Sequence, residues 1–360
     1  MTAYDAIILG AGPAGEVCAG ALADGGLRVA IVERELVGGE CSYWGCIPSK
    51  TLLRPGEALA AAREAPGARE AVTSGLDPAA AFAWRDFMVS GHDDAGAVPW
   101  LEDKGVVAEG AEHLLPREPR ALGEALTDAL AAEGVELRMG SFAAAARRED
   151  GDYVLAFPDG TEERGDRLLV ATGRRPRTTG LGLEALGVAP GPHGIAIDAH
   201  MGAAPGLWAI GDVTGIWPLT YVGKYQARIA AANILGDRRA AAYDAVPRVV
   251  FTDPQVAAVG VAEDERTATV ALRDLPRTAT YTRAYAERPG FLTLLSDGER
   301  LTGARAVGPE AGEWLQQATV AIRTRVPLAT LTDVIQPFPT FSEAFVEALA
   351  ALAARVPAAA

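Results

Sequence analysis

Tyr4-Asp5-Ala6-Ile7-Ile8-Leu9-Gly10-Ala11-Gly12-Pro13-Ala14-Gly15 decides the fold of the N-terminal part of the chain. The short apolar run reads as a strand, the Gly-x-Gly-x-x-Gly spacing as a turn, and the alanine-rich residues to about Ala23 as a helix. Each glycine has a steric job: one permits the tight turn, one lets backbone amides approach a pyrophosphate, and one lets the helix pack against the strand. Arg28-Val29-Ala30-Ile31-Val32-Glu33 supplies a second strand, and Glu33 at its end is placed to accept hydrogen bonds from a ribose diol. Taken alone, the turn would also suit an ordinary α/β connection. With both strands and the acid in place, it predicts a dinucleotide-binding α/β unit.

Outward from that unit, length and composition set limits. The chain has 360 residues, a net charge of −14 and 49% hydrophobic residues, which describes a soluble globular protein of two or three domains. No apolar run reaches the roughly 18 residues of a membrane span, and residues 1–10 read as a strand rather than a cleavable leader. A cytoplasmic protein without membrane association is therefore expected. The acidic balance argues against a nucleic-acid partner, since phosphate backbones are bound by clustered Lys and Arg. Basic positions are almost all arginine; the three lysines are Lys50, Lys104 and Lys224.

Two of the three cysteines fall in Gly38-Gly39-Glu40-Cys41-Ser42-Tyr43-Trp44-Gly45-Cys46-Ile47-Pro48-Ser49-Lys50. In a long cytosolic chain such a pair reads as redox chemistry or metal binding rather than as a structural framework. A metal site would need two further ligands, and neither the four histidines nor Cys18 has a recognisable ligand spacing, so no metal is expected. Cys18, on the small-residue face of the first helix, reads as core.

The remaining pattern predicts helices over 50–66, 76–105 (interrupted at Gly91 and Pro99) and 119–133, and a strand over 134–139. Strands near 152–157 and 161–166, joined by Pro158-Asp159-Gly160, predict a β-meander. Arg167-Leu168-Leu169-Val170-Ala171-Thr172-Gly173 reads as a buried strand, and Gly206-Leu207-Trp208-Ala209-Ile210-Gly211-Asp212 as another that ends in Gly-Asp before a helix over 221–235. From Val246 onward, strands between Pro and Gly turns followed by helices near 310–325 and 341–355 predict a separate α+β domain, with the alanine-rich tail beyond Ala348 fraying.

Four motifs together resemble the flavoprotein (pyridine nucleotide) disulfide reductases, the family of dihydrolipoamide dehydrogenase, glutathione and mycothione reductases, and mercuric reductase. They are the Gly10, Gly12, Gly15 turn with Glu33; Gly39 to Lys50 with its Cys-x4-Cys; Ala171-Thr172-Gly173; and Ala209-Ile210-Gly211-Asp212. The resemblance implies an α/β fold: a three-layer Rossmann-like FAD-binding domain with a β-meander over 1–240, and an α+β interface or dimerisation domain over 241–360. It implies FAD as cofactor, a homodimer and a small-molecule thiol or disulfide substrate. Cofactor contacts are implied at Gly10, Gly12, Gly15, Glu33, Gly39, Lys50, Gly173 and Asp212, with Lys50 polarising the flavin near its reactive nitrogen and Asp212 binding the ribityl chain. By the same resemblance Cys41 and Cys46 form a redox disulfide, Cys46 beside the flavin and Cys41 as the thiol that attacks an external disulfide. A thiolate is the attacking species, and a helix starting near Ile47 would favour it.

The chain also departs from that family. It carries one glycine turn where members carry a second for NADH or NADPH, and it is shorter by about a hundred residues, well beyond ordinary loop variation. Trp100 to Val106 resembles the end of the flavin domain's first half, and residues 107–173 resemble the second half of the NAD(P)-binding domain. Gly134 to Gly173 is expected to substitute for the lost flavin-domain elements; the alternative, an orphaned half-domain, would expose apolar strand faces. Use of NAD(P)H is accordingly left open. In Gln336-Pro337-Phe338-Pro339-Thr340-Phe341-Ser342-Glu343, Phe338 stands where the family has a proton-transferring histidine, and Glu343 is kept as a candidate catalytic residue beside its readings as a helix cap or surface group. Lys224 lines the substrate approach or is a solvated helix lysine. Two other readings stay open: a non-catalytic or truncated flavoprotein, and a dithiol oxidase that needs no nicotinamide.

Overall fold

The computed structural model describes residues 4–33, 36–89, 106–108, 113–275 and 290–354. The continuation of the second predicted helix through 90–105, including Lys104, and residues 109–112 of the stretch compared with the NAD(P)-binding domain lie outside them.

In chain order the elements are β1 (Ala6–Leu9), α1 (Pro13–Asp24), β2 (Val29–Val32), α2 (Gly39–Tyr43), α3 (Cys46–Glu64), α4 (Pro78–Met88), β3 (Val106–Ala108), α5 (Arg120–Ala132) and β4 (Glu136–Arg138). Next come the meander β5 (Ala145–Glu149), β6 (Asp152–Ala156) and β7 (Glu162–Gly165), then β8 (Gly202–Ala204), β9 (Leu207–Trp208) and α6 (Thr220–Ile234). The C-terminal part holds β10 (Arg248–Val250), β11 (Gln255–Gly260), β12 (Arg266–Ala271), β13 (Phe291–Ser296), β14 (Leu301–Gly308), α7 (Ala311–Trp314), α8 (Gln316–Thr324), α9 (Leu328–Thr332) and α10 (Glu343–Ala353).

These elements fall into two compact units, one of residues 1–55, 77–96 and 171–243, the other of residues 56–76, 97–170 and 244–360. In the first, β1 and β2 pair in parallel, Ala6 opposite Val29 through Leu9 opposite Val32. Helix α1 packs on α6 through buried Cys18, Leu22, Ala227 and Ala231, with Ala6, Ile8 and Val29 of the strands closing the cluster. Small residues permit the close approach. A methyl group on Gly223 of α6 would sit 3.3 Å from both the Ala14 Cβ and the Gly211 Cα. Cys18 is core, as its position on the small-residue face predicts.

The second unit is built on the antiparallel sheet β10-β11-β14-β13-β12. Alternation along β11 sends Ala257 and Val259 into one cluster with Trp314, Leu315, Phe345 and Leu349, and Val256 and Ala258 into another with Leu122 and Leu126 of α5. Both faces are therefore covered, which is why the strand reads Val-Ala-Ala-Val without a polar alternation. Glu118, just before α5, forms a bidentate pair with Arg248 of β10 at 2.5 and 3.0 Å, in a largely buried setting. On the exposed face of the meander, Arg147 bonds Glu162 and Glu149, and Arg164 bonds Glu149.

Four expectations change. Arg167 to Gly173 forms no strand: Leu169 is 80% and Val170 69% exposed. A strand buried on both faces needs partners on its edges, and the β1-β2 sheet has only its two strands among the described residues. The strand before Asp212 is confined to Leu207–Trp208, and Gly211–Thr214 is a 3-10 turn. The helix expected over 310–325 is two, α7 and α8, bent at Leu315. The tail beyond Ala348 stays helical to Ala353, because Leu349 and Leu352 are buried in the sheet-facing core.

Candidate functional site

The glycine turn is built as its spacing requires. Gly10 has φ +102°, and a methyl group on Gly15 would stand 2.0 Å from the Gly10 carbonyl oxygen, so only glycine allows α1 to start against β1. Pro13 opens α1 and Gly12 caps it without a side-chain hydrogen bond, leaving its first amides to face an anionic group. Gly38 donates its N–H to the Ala11 carbonyl at 2.8 Å, and a methyl group on Gly39 would lie 2.7 Å from the Gly12 Cα. The two glycine stretches thus interlock, and the cysteine segment is held against the turn. Glu33 accepts the Ala11 N–H at 2.8 Å, so its carboxylate faces the same turn.

Cys41 lies in α2 and Cys46 opens α3, with Trp44 and Gly45 as the break between them. Both are free, half-buried thiols, and both lie 3.2 Å from one atom, the Oγ1 of Thr220 at the start of α6. Thr220 donates to the Cys41 Sγ, so the Cys46 thiol is left to donate to Thr220. Burial pushes the Cys41 thiol above the ordinary thiol range and Cys46 adds to the rise; the Thr220 hydroxyl and the positive charge of Lys224 oppose it. Lys50 stands one turn into α3, with its Nζ donating to Ser49 Oγ at 3.3 Å, and Ser49 Oγ in turn donates to the Cys46 carbonyl at 3.2 Å.

On the other side of the glycine turn, Gly173 has φ +110°, and the next residue, Arg174, bonds Glu40 at 2.7 Å and Asp212 at 3.3 Å. Burial pushes the Asp212 carboxyl up, Arg174 pulls it down, and Glu40 adds to the rise. The Asp212 turn is fixed from below by Gln226, which is fully buried: its Oε1 accepts the Gly211 N–H at 2.7 Å, and its Nε2 donates to Tyr243 at 3.1 Å.

The first unit therefore contains Gly10, Gly12, Gly15, Glu33, Gly39, Cys41, Cys46, Lys50, Gly173 and Asp212. Glu343 belongs to the second unit, at the first position of α10, where a carboxylate complements the helix dipole. Sequence reasoning missed three residues. Arg174 was signalled only by following Thr-Gly, Thr220 by opening a helix, and Gln226 by being the one large polar group between small residues on the inner face of α6. Among the described residues no group of three or more His, Cys, Asp or Glu is placed to hold a metal ion, and no helix is long and apolar enough to cross a membrane.

The residues present fit an FAD-sized dinucleotide. They offer a glycine cradle that any Cβ would fill, the uncapped amides of α1, a guanidinium at Arg174 for phosphate charge, and a carboxylate at Asp212 that a hydroxylated chain can use.

The model of the pyridine nucleotide-disulphide oxidoreductases matches residues 4–81 and 81–227, and that of their dimerisation domain matches 246–349. Mercuric reductase of Acidithiobacillus ferrooxidans is 31% identical over 445 positions, covering 93% of this chain and 80% of the relative. Dihydrolipoyl dehydrogenase of Thermus scotoductus is 31% identical over 455 positions, covering 98% of each. Both alignments span more positions than the chain has residues, so each relative carries sequence that this chain lacks. Among solved structures, the HOCl-induced flavoprotein disulfide reductase RclA from Escherichia coli, as its Cu(II) complex, superposes with a TM-score of 0.82 at 21% identity, covering 97% of this chain and 99% of the other. LpdA from Mycobacterium tuberculosis superposes with a TM-score of 0.80 at 21% identity, covering 96% and 99%. With its flavin-type turn, its thiol pair and both family models matched, the chain belongs to the pyridine nucleotide-disulphide oxidoreductases, FAD-dependent enzymes that work through a redox-active cysteine pair, here Cys41 and Cys46.

Proposed function

We propose that this oxidoreductase exchanges electrons between bound FAD and a small-molecule thiol or disulfide, with Cys41 as the interchange thiol and Cys46 as the thiol next to the flavin. The observation that carries this is the single Thr220 hydroxyl in contact with both sulfurs, which holds them near enough to close on one another. FAD, when bound, accepts or supplies the electron pair. The chain's residues do the rest. In the reducing direction the Cys41 thiolate attacks one sulfur of a disulfide RSSR, forming a Cys41–SR bond and expelling the other half as a thiolate that takes up a proton. The Cys46 thiolate then attacks the Cys41 sulfur and expels the second half, so two thiols are made and the Cys41–Cys46 pair is oxidised by two electrons.

The FAD contacts are assigned to Gly10, Gly12, Gly15, Glu33, Gly39, Lys50, Gly173 and Asp212, with Arg174 facing phosphate charge. Glu343 is kept as a candidate catalytic residue; Phe338, five residues before it, cannot transfer a proton, which removes a contribution of about 10²- to 10⁴-fold from turnover that relies on such a group. Residues 1–240 are assigned to the flavin domain and 241–360 to an interface domain that makes a homodimer, a division supported by the matched segments. The protein is assigned to the cytoplasm, where its thiols stay reduced.

The sequence offers one glycine turn, and FAD takes it. This favours a second reading, a dithiol oxidase whose electrons leave to oxygen without a nicotinamide. Visible spectra of the anaerobic holoprotein with NADPH and NADH in turn separate the two. Flavin bleaching with new long-wavelength absorbance supports the nicotinamide-linked reductase. A flavin that stays oxidised with both nucleotides, together with oxygen uptake driven by dithiothreitol alone, overturns it in favour of the oxidase.

A further inference from the structure

Helix α6 presents more than Thr220 to the thiol pair. Side chains four positions apart share one helix face and lean toward its N-terminus, so Lys224 lies over the turn that carries Thr220. Val222, Gly223, Gln226 and Ala227 are buried, whereas Lys224 is exposed, which leaves its ammonium on the open side of the helix. Other charged groups stand on neighbouring elements: Glu40, the chain neighbour of Cys41 in α2, is paired with Arg174, and the Lys50 ammonium in α3 donates to Ser49, while Cys46 and Thr220 are the hydrogen-bond partners of the pair. Burial pushes the Cys41 thiol up, and the Thr220 hydroxyl and the Lys224 charge oppose that rise. In a chain that uses arginine for nearly every basic position, two of its three lysines stand beside this pair.

We propose that Lys224 is a positioning residue for thiol–disulfide exchange, supplying the fixed positive charge that favours the Cys41 sulfur as a nucleophile. The proposal rests on Cys41 being the interchange thiol. It assigns Lys224 a role through Cys41, without contact to the transferred electrons.

The test uses the full-length holoprotein and its Lys224→Gln and Lys224→Arg variants, each reduced with dithiothreitol, freed of reductant anaerobically and pulsed with iodoacetamide from about pH 6 to 10, with peptide mass spectrometry reading Cys41 separately from Cys46 and Cys18. In Lys224→Gln, Cys41 alkylation at neutral pH is expected to slow about 3- to 10-fold, its pH profile moving to higher pH by up to about one unit. Lys224→Arg is expected to restore the profile, and the difference is expected to shrink in high salt. Superimposable Cys41 profiles for wild type and Lys224→Gln overturn the proposal, as does a Lys224→Arg variant that behaves like Lys224→Gln. Failure of the underlying reading looks different: diamide oxidation of the wild type then yields no Cys41–Cys46 disulfide in the same peptide map.

Discussion

At Gly15 the sequence reading and the structure meet on one number, the 2.0 Å that would separate an added methyl group from the Gly10 carbonyl oxygen. That constraint was legible because it acts on neighbouring residues. Gly39 was legible only as part of a motif, since its steric partner, the Gly12 Cα, lies 27 positions away in the chain. Glu33 was read as a ribose ligand, and the structure adds a bond that no spacing announces, from the Ala11 amide. Cys18 shows how burial alone sets chemistry: at 4% exposure its thiol is pushed up to about 11. Because the folded pKa is raised, the contribution is fully present below the unfolded value near 9.0 and is lost as pH rises toward about 11. Replacing Cys18 with Ala, which cannot ionise, is expected to remove up to about 2 kcal/mol of the alkaline loss of stability. Chemical denaturation at pH 8 and near pH 11, read as the difference between wild type and variant, checks it; equal slopes with pH refute the assignment.

Elements were legible where local pattern decides them and misread where partners do. Helices α1, α5 and α6 follow their apolar periodicity, and the meander follows its turn residues. Arg167 to Gly173 has the composition of a buried parallel strand and lacks the neighbours that would make it one, a fact its own residues do not carry. Helix α5 illustrates the reverse. Its amphipathic pattern announces a buried face without saying what covers it, and the structure supplies the sheet surface of Val256, Ala258 and Val307. Leu122, fully buried there, is expected to destabilise the second unit by about 2 to 5 kcal/mol when replaced by Ala, and far less when replaced by Met. The urea midpoints of the two variants decide this, and an unmoved midpoint for Leu122→Ala would mean that α5 is not seated on the sheet.

For the whole molecule, residues 246–349 of the second unit match a dimerisation domain, and within them Ile335 is 95% exposed, with Val334 and Phe338 of the same segment also open to solvent. A bare isoleucine beside two further apolar residues is the kind of patch that a partner covers. Replacing Ile335 with Asp is expected to convert the proposed homodimer into a monomer without unfolding the chain, since the side chain is almost wholly exposed within its own subunit. Light scattering after gel filtration measures this, and an unchanged dimer mass removes the segment from the interface. The net charge of −14 was readable from composition, whereas the two compact units interleave segments that length does not announce, and no periodicity encodes which exposed residues would meet a second copy.

The Thr220 hydroxyl has a consequence for the birth of the protein. It meets Cys46 across 174 positions of chain and Cys41 across 179, and the same helix supplies half of the cluster around Leu22. A ribosome delivers the thiols long before it delivers their anchor, and long-range closure of this kind is slow. Until α6 has emerged, the nascent N-terminal segment carries two unshielded sulfurs and an uncovered apolar helix face, so the interval between translating codon 46 and codon 234 is when the chain is most open to misoxidation and to chaperones.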